Sequence, residues 1–379
     1  MQQISSRLNG VSNHVEIRIA SGVRRRAGEI VKQLGSVAPK QVVVISNRIV
    51  LHHYGAETVE SLRRKGCRVA TWSMPDGERH KSFNSLERAV TFLAQNRLER
   101  NDVVVALGGG VVGDLAGFAA AIYLRGLPLI QLPTTLLAQV DSSVGGKTAI
   151  NLPFGKNLVG AFHQPAAVLI DPETLRTLPA RELTSGCCEM VKQGAVASAR
   201  LFSQTVSFLR KMEADRDWLT SATFEKLIAS HCRFKSSIVA HDERELIGRA
   251  DVQSRKILNF GHTTAHALET VTGYRYFRHG EAVGYGVLVA GEISKSLGLL
   301  DAPELESLRE AVRLCGPLPR TNHLHSDAIL AALKHDKKRI GGAIKWVLLR
   351  GLGSPLIVDG AEVSARLLRT SLERALWSS

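Results

Sequence analysis

Cysteine and aromatic residues are both scarce in this chain of 379 residues. The five cysteines are odd in number and form no CxxC pair, which argues against a disulfide framework and against a cysteine-ligated metal. Aromatic residues make up 5% of the sequence, which is low for a surface that binds nucleic acid. We therefore expect reduced, mostly buried thiols and no nucleic-acid partner.

Long apolar runs are also missing. No stretch of about 18 uninterrupted apolar residues occurs, so we expect no membrane span and no membrane partner. The first ten residues lack a basic region followed by an apolar one, so no secretory signal is expected and the cytoplasm is the expected location. The sequence contains neither an internal repeat nor a low-complexity segment.

Positive charge, in contrast, is abundant. Lysine and arginine number 49 against 35 acidic residues, which gives a formal net charge of +14. The basic residues are scattered, and the densest run, Arg24–Arg26, lies where an amphipathic helix is expected to expose its solvated face. The charge therefore favours small anionic ligands over nucleic acid.

Up to about residue 180, short β-branched runs alternate with helical stretches. The predicted strands are 41–45, 68–72, 103–107, 128–132 and 167–170, with helices near 26–35, 54–65, 85–97 and 112–122. This alternation predicts an α/β domain with a mainly parallel, Rossmann-like sheet covered on both faces. Ligands of such sheets bind at the carboxyl ends of the strands.

After Pro179 the pattern changes to long helical periodicity with few β-branched runs. We predict two domains, residues 1–179 and residues 180–379, of which the second is mostly α-helical. Two late runs, 345–350 and 355–358, are candidates for short strands.

A strand, a glycine turn and a helix start follow one another between residues 101 and 121. Residues 101–107 predict a buried strand, Gly108–Gly110 a turn, and Gly113 the start of a helix. Glycine lets the backbone approach phosphate oxygens, and the free N–H groups of the first helical turn point at the anion. The segment predicts a nucleotide-phosphate site, although a structural strand-to-helix corner has the same glycine spacing.

Three histidines, His262, His266 and His279, fall within 18 residues. The first two stand one turn apart if a helix begins at Gly261. Neutral imidazoles together with one carboxylate suit a divalent metal with an open coordination position. The cluster predicts a metal site, although a hydrogen-bonded core histidine explains any one of them alone.

Other charged residues are ambiguous by themselves. Glu189 and Lys192 share a helix face, which an exposed salt bridge explains equally well. Nothing local marks the single cations Lys235, Arg255 and Arg125. The cluster 335–339 is typical of a solvated loop.

Six ordered motifs resemble those of 3-dehydroquinate synthase, the NAD- and metal-dependent sugar-phosphate cyclase family of the shikimate pathway. They lie at residues 108–114, 133–147, 155–157, 259–262, 279–283 and 336–338, and the match runs from about residue 40 to residue 352. The resemblance implies NAD and a divalent metal, zinc or cobalt, as cofactors.

The resemblance also implies which residues hold these cofactors. The nucleotide would be bound by Asn47, Glu78, Lys81, Gly109, Gly110, Asp114, Thr134, Thr135, Asp141, Lys147, Lys156, Thr177, Leu178 and Glu182. The implied metal ligands are Glu189, His262 and His279. His266 is then left for catalysis, which revises the interpretation that both histidines of the one-turn pair are ligands.

The substrate that the resemblance implies is 3-deoxy-D-arabino-heptulosonate 7-phosphate, whose carboxylate and phosphate require a strongly cationic site. The implied catalytic residues are Asp141, Lys147, Lys192, Lys235, Arg255, Asn259, His266 and Lys337, and the phosphate would be bound by Arg125, Lys147, Asn157 and Lys337. Arg125 resembles an arginine that reaches the neighbouring subunit's phosphate, so a homodimer is implied.

The implied reaction reduces NAD transiently, eliminates phosphate, returns the hydride and closes a ring by an intramolecular aldol step. The segment 246–254 is longer than the family pattern, so Arg249 is an alternative to Arg255 as the catalytic arginine. Another sugar-phosphate cyclase, of the valiolone or deoxy-inosose type, is an alternative function. Valiolone-type enzymes tend to lose the second histidine of the pair, which His266 retains. A metal-dependent alcohol or glycerol dehydrogenase is a further alternative.

Overall fold

The computed structural model describes residues 1–7, 14–34, 38–214, 216–246, 248–339 and 345–377. These residues form two compact units: Met1–Leu178 with Leu219–Ala240, and Pro179–Trp218 with His241–Ser379. The segment 219–240 belongs to the first unit, a detail that the sequence pattern does not predict. A division into domains after residue 179 stays a prediction. Among the described residues, no helix is both long and apolar enough to cross a membrane.

The helices alternate with strands in the first half of the chain and follow one another in the second half. They are α1 (Ala27–Lys32), α2 (Arg48–Val50), α3 (Ala56–Arg64), α4 (Phe83–Gln95), α5 (Gly110–Ile122), α6 (Ala180–Ala197), α7 (Ala199–Ala214), α8 (Ala222–His241), α9 (His262–Val271), α10 (His279–Ser296), α11 (Ala302–Leu314), α12 (Ser326–Arg339) and α13 (Ala365–Leu376).

The strands are β1 (Gln2–Arg7), β2 (His14–Ile19), β3 (Gln41–Asn47), β4 (Arg68–Met74), β5 (Val103–Gly108), β6 (Leu129–Pro133), β7 (Lys147–Leu152), β8 (Gly155–Phe162), β9 (Ala167–Ile170), β10 (Lys345–Leu349) and β11 (Pro355–Asp359). Within the described residues, seven of them form one sheet in the order β1-β2-β9-β6-β5-β3-β4. All pairs in this sheet are parallel except β1 with β2. The five strands predicted from sequence are confirmed, whereas β1, β2 and the β7–β8 hairpin were not predicted.

The sheet of the first unit is covered on both faces. Val43 and Ile45 of β3 pack in one core with α4 and α5, whereas Val42 and Val44 pack in another core with α1 and α3. Alternate residues of a strand point to opposite faces, so a strand buried on both sides must be apolar throughout. The continuous β-branched run of β3 therefore predicts its central position correctly.

The prediction that Arg24–Arg26 lie on a solvated helix face is wrong for Arg24. Its side chain is buried, with a guanidinium nitrogen 2.6 Å from Asp171 Oδ2 and another 2.6 Å from Glu57 Oε2. The guanidinium also stacks over the ring of Tyr54, 5.3 Å from its centroid. Part of the positive charge is therefore neutralised inside the fold, where it is not available to a ligand.

The second unit is built mainly from helices, and in it β10 pairs antiparallel with β11. Both strands were expected as candidates from sequence and are confirmed. The basic cluster 335–339 is not a loop, because α12 continues through Arg339. The side chain of Lys337 lies outside the described part of the structure.

Candidate active site

A carboxylate and two imidazoles come together in the second unit. Glu189 lies in the middle of α6 and is fully buried, while His262 and His279 are the first residues of α9 and α10. Glu189 Oε1 lies 3.9 Å from His262 Nε2 and 3.6 Å from His279 Nε2. One ligand atom from each residue lies within 4.8 Å of the other two. We call Glu189, His262 and His279 the triad.

Glycines allow the three helices of the triad to approach closely. Gly261, just before α9, has φ +79°, and a Cβ built on Gly286 of α10 would lie 1.9 Å from the Gly261 carbonyl oxygen. A Cβ on Gly280 would lie 1.9 Å from the carbonyl oxygen of Ser185 in α6. Only a residue without a side chain fits these positions, so the glycines determine how closely the ligand-bearing residues can meet.

Replacing Gly286 with alanine is therefore expected to separate α9 from α10, to weaken zinc binding and to lower the free energy of unfolding by about 1–3 kcal/mol. Zinc affinity from competition with a chromophoric chelator, together with urea denaturation, measures both effects. Gly291→Ala on the same helix is the matched control, because its Cβ would meet only the flexible tips of Leu305 and Leu308. Equal zinc affinities in the two variants would contradict this explanation.

The chemistry of the triad fits a divalent metal. Neither carboxylate oxygen of Glu189 accepts a hydrogen bond from the described residues, although the Lys192 ammonium forms an ion pair 2.6 Å from Oε2. A buried carboxylate without hydrogen bonds is costly, and a cation facing Oε1 would remove that cost. His262 Nδ1 lies 3.3 Å from the Phe260 carbonyl oxygen, which suits a neutral ring that presents Nε2 to a metal.

Lys192 and Glu189 do form a pair, but the exposed salt bridge considered from sequence is wrong. The two side chains are 1% and 0% exposed. A buried pair of this kind is not a stabilising surface contact, since each charge depends on the other for compensation. The burial of both residues indicates a role inside the site.

His266 lies beside the triad but is not part of it. Its ring centroid is 5.7 Å from that of His262 and 6.3 Å from that of His279, and its side chain is exposed. The residue pattern alone had grouped all three histidines as ligands. The arrangement instead pairs two imidazoles with Glu189, in line with what the family resemblance implies.

Leu246, Ser254 and Arg255 all donate hydrogen bonds to the buried carboxylate of Asp242. The donors are the Leu246 N–H at 2.9 Å, the Arg255 N–H at 2.8 Å and the Ser254 hydroxyl at 3.3 Å. Burial alone would raise the pKa of Asp242, but these donors outweigh it and lower the pKa. Asp242 was not identified from sequence.

The two candidate arginines differ in what they contact. Arg249 is 2.7 Å from Asp251 and also donates to the carbonyl oxygen of His241 at the end of α8. Arg255 is buried and donates to the carbonyl oxygen of Glu243 at 2.8 Å. Arg255 begins the 3-10 helix Arg255–Asn259, which leads into α9, the helix that carries His262. The contacts of Arg249, in contrast, are with Asp251 and with the end of α8.

Asn259 is exposed, and its amide donates to Glu245 Oε1 at 3.0 Å. Glu182, which the resemblance assigns to the nucleotide, lies in the second unit and pairs with Arg278 at 2.8 Å. The sequence patterns did not single out Glu245, which contacts Asn259, or Arg278, which contacts Glu182.

In the first unit, the predicted glycine turn connects β5 to α5. Among the described residues, no side chain caps the start of α5 at Gly109, so the first N–H groups of this helix are available to an anion. A Cβ on Gly109 would lie 2.9 Å from Thr135 Cγ2, and one on Gly110 would lie 3.0 Å from Ser142 Oγ. The turn is therefore close-packed against the segment after β6, and the Thr134 N–H donates to the Gly108 carbonyl at 3.0 Å.

A buried lysine connects the polar residues near this turn. Lys81 Nζ lies 2.7 Å from Asp114 Oδ2, 2.5 Å from Asn157 Oδ1 and 3.6 Å from Glu78 Oε1. Burial alone would lower the pKa of Lys81, but the carboxylates of Asp114 and Glu78 outweigh it and raise the pKa. The structure therefore brings together four of the residues that the resemblance implies for cofactor and phosphate. Asn151, which donates to Glu78 Oε1 at 2.8 Å, was missed from sequence.

A second cation–carboxylate pair in the same unit joins α8 to the segment after β6. Lys235 Nζ donates to the carboxylate and to the carbonyl oxygen of Asp141, each at 2.6 Å. Nothing in the sequence around Lys235 marks this pairing, because the partners are 94 positions apart. The structure thus brings together two residues that the resemblance assigns to catalysis.

The other residues that the resemblance implies for the site do not belong to the clusters described above. Lys147 is exposed at the start of β7, and Lys156 is half-buried near the start of β8. The Thr177 hydroxyl hydrogen-bonds to that of Tyr54 at 2.7 Å, and Asn47 donates to Asp76 at 2.9 Å. Leu178 is half-buried, and Arg125 is exposed.

Comparison with known proteins gives a consistent result. A family model described as 3-dehydroquinate synthase N-terminal matches residues 71–185, and one described as 3-dehydroquinate synthase C-terminal matches residues 186–339. A 3-dehydroquinate synthase of Gloeobacter violaceus is 42% identical over 94% of this chain and 95% of the relative. One of Bordetella pertussis is 43% identical over 88% of this chain and 89% of the relative.

Two solved structures share the fold. A 2-epi-5-epi-valiolone synthase of Streptomyces hygroscopicus with bound NAD+ and Zn2+ has a TM-score of 0.85 at 25% identity, covering 99% of both chains. A 2-deoxy-scyllo-inosose synthase with carbaglucose-6-phosphate, NAD+ and Co2+ has a TM-score of 0.81 at 23% identity, covering 98% of this chain and 99% of that one.

Proposed function

The chain belongs to the 3-dehydroquinate synthase family, and from that premise we propose how its residues carry out the reaction and which cofactors they hold. The enzyme converts 3-deoxy-D-arabino-heptulosonate 7-phosphate to 3-dehydroquinate and phosphate. The observation that carries the proposal is the triad, in which a buried carboxylate oxygen without a hydrogen bond from the described residues faces two imidazole nitrogens.

Glu189, His262 and His279 hold one divalent ion. Bound there, it would act as a Lewis acid on the oxygen of the substrate alcohol whose carbon is oxidised. Lys192 balances the charge of Glu189 from within the core, since its ammonium lies 2.6 Å from Oε2. The proposed role of His266, which is exposed next to the triad, is to exchange protons with the substrate. The NAD+ and Zn2+ bound by the valiolone synthase support a divalent metal and NAD as the cofactors.

The first unit holds NAD. The cofactor supplies a hydride acceptor that is regenerated in each turnover. The uncapped start of α5 and the close-packed Gly109–Gly110 turn leave backbone N–H groups for the pyrophosphate. Burial alone would raise the pKa of Glu78, but the nearby Lys81 ammonium outweighs burial and lowers the pKa. Glu78 is therefore ionised and is proposed to accept hydrogen bonds from ribose hydroxyls.

The substrate's anionic groups require cations, and the proposed set is Lys147, Lys156, Lys192, Lys235, Arg255 and Lys337. Lys235 also orients Asp141, because its ammonium donates to the Asp141 carboxylate at 2.6 Å. The proposed role of this carboxylate is to accept a hydrogen bond from a sugar hydroxyl. Lys147 is exposed, so a phosphate group in solution can reach it. Its ammonium lies at the end of a flexible side chain and can adjust its position to bind the phosphate.

Arg125 acts in a homodimer, on the phosphate in the partner subunit. Support comes from the backbone, because Leu124 and Arg125 have φ of +49° and +68°, a left-handed conformation that costs non-glycine residues about 1–2 kcal/mol each. Such strain is concentrated at functional sites. Leu158 and Phe162, on one face of β8, are 59% and 46% exposed, which favours burial against another chain.

The substrate is tested by phosphate release from several sugar phosphates with NAD and zinc or cobalt present. We expect the heptulosonate phosphate to release phosphate fastest, with no net NADH. Faster turnover of sedoheptulose 7-phosphate would instead favour a valiolone-type activity. Glucose 6-phosphate serves as the probe for an inosose-type activity, since the 2-deoxy-scyllo-inosose synthase structure contains bound carbaglucose-6-phosphate. Net NADH formation from glycerol would indicate a dehydrogenase.

A further inference from the structure

A second buried carboxylate lies behind one imidazole of the triad. Glu269, on α9, is 2% exposed. Its Oε2 lies 3.5 Å from Nδ1 of His279, while the other ring nitrogen, Nε2, lies 3.6 Å from Glu189 Oε1. The His279 ring is therefore held between a carboxylate on each side.

The two ring nitrogens of a neutral imidazole have different tasks. One carries the proton and donates, and the other has a lone pair that can bind a metal. A proton on Nδ1 of His279, directed at Glu269, leaves the lone pair of Nε2 pointing at the position that Glu189 also faces. An acceptor on the far nitrogen of a metal-ligating histidine fixes the ring and raises its basicity.

His262 has the same arrangement with a different acceptor. Its Nδ1 lies 3.3 Å from the backbone carbonyl oxygen of Phe260. The oxygen that faces Nδ1 of His279 belongs instead to a side-chain carboxylate, and this carboxylate comes from the helix that begins with His262. Helix α9 thus carries both the proposed ligand His262 and the Glu269 carboxylate, which faces the proposed ligand His279 of α10. This acceptor, unlike a backbone carbonyl, can be removed by mutation.

We propose that Glu269 is a positioning residue, which fixes the tautomer and the orientation of His279 so that Nε2 is presented to the metal. The proposal rests on the proposed metal-binding function of the triad. In this role Glu269 is not itself a metal ligand, and it affects metal binding through His279.

The variants Glu269→Ala and Glu269→Gln test this role through cobalt binding, measured by competition with a chromophoric chelator and by the cobalt absorption spectrum. Removing such an acceptor typically weakens metal binding by about 10- to 100-fold, so we expect Glu269→Ala to lose affinity in that range. Glu269→Gln should retain part of the affinity, because its amide oxygen still accepts a hydrogen bond.

Glu292→Ala is the matched control. Glu292 is equally buried, lies on α10, and pairs with Arg309 rather than with the triad. We expect it to lower the thermal midpoint while leaving cobalt affinity within about twofold of the unmodified protein. Cobalt affinity of Glu269→Ala within twofold of the unmodified protein, or a loss equal to that of Glu292→Ala, would overturn the proposal.

A measurement on the unmodified protein does not depend on any variant folding. Nitrogen-15 NMR of the zinc-loaded protein reports which nitrogen of His279 carries the proton, and we expect a proton on Nδ1. A proton on Nε2, with Nδ1 bare, would overturn the proposal even if phosphate release confirms the function. Failure of phosphate release with a proton on Nδ1 would contradict the function alone.

Discussion

Replacing His262 with alanine is expected to abolish metal binding and phosphate release while the fold persists. The imidazole is proposed to supply one of three ligand atoms. Losing Lewis-acid stabilisation of several kcal/mol corresponds to a loss of roughly a thousandfold or more in rate. Metal content by elemental analysis, the rate of phosphate release and the circular dichroism spectrum together check this outcome.

His266→Ala is the matched control for this variant, because His266 lies one turn further along the same helix and outside the triad. We expect it to bind one metal per chain and to lose rate only. If His262→Ala retained metal, or if His266→Ala lost it, the assignment of ligands would be wrong.

Mixing two inactive variants is expected to restore activity. Arg125→Ala and Lys147→Ala should each eliminate most phosphate release, since each removes a cation proposed to bind the substrate phosphate. If Arg125 serves the partner's site, a mixed dimer contains one site with both residues intact. Random exchange of subunits then gives about one quarter of the unmodified activity, because half of the dimers are mixed and half of their sites are complete.

The alternative outcome is equally clear. If Arg125 served its own subunit, no site in a mixed dimer would contain both residues, and the mixture would stay inactive. The same result would follow if the protein were a monomer, which sedimentation of each variant distinguishes. Metal content should be one per chain in both variants, since neither residue belongs to the triad.

The central strands and the glycine turn could be predicted from the sequence because their signals are local. The β-branched run of β3 is buried on both faces, and such continuous runs are typical of the centre of a parallel sheet. The β7–β8 hairpin is not predicted from sequence because the half-exposed β8 lacks a continuous apolar run.

Only the family resemblance singled out Glu189, His262 and His279 together, since the residue pattern alone grouped His262, His266 and His279 with a carboxylate that it did not identify. Nothing local distinguishes Glu189 from a surface residue, and its full burial is a property of the packed helices. Arg24 shows the same limit, because its carboxylate partners Asp171 and Glu173 lie far along the chain.

Glu269 and Asp242 were not singled out either, although each is a buried carboxylate beside a predicted site residue. Glu269 stands seven positions after His262, and two turns of a helix place residues of that spacing on one face. That spacing is the one signal in the sequence that could have indicated its position. The partner of Glu269 on α10 becomes visible only in the fold.

The most direct test of the central claim is a metal titration of the chelated protein. Zinc is added back in fractions while phosphate release from the heptulosonate phosphate is followed with NAD present. The triad predicts no rate without metal, a linear rise and saturation at one zinc per chain, with no restoration in Glu189→Ala. Phosphate release that persists after complete chelation, or that zinc restores equally in Glu189→Ala, would contradict the account.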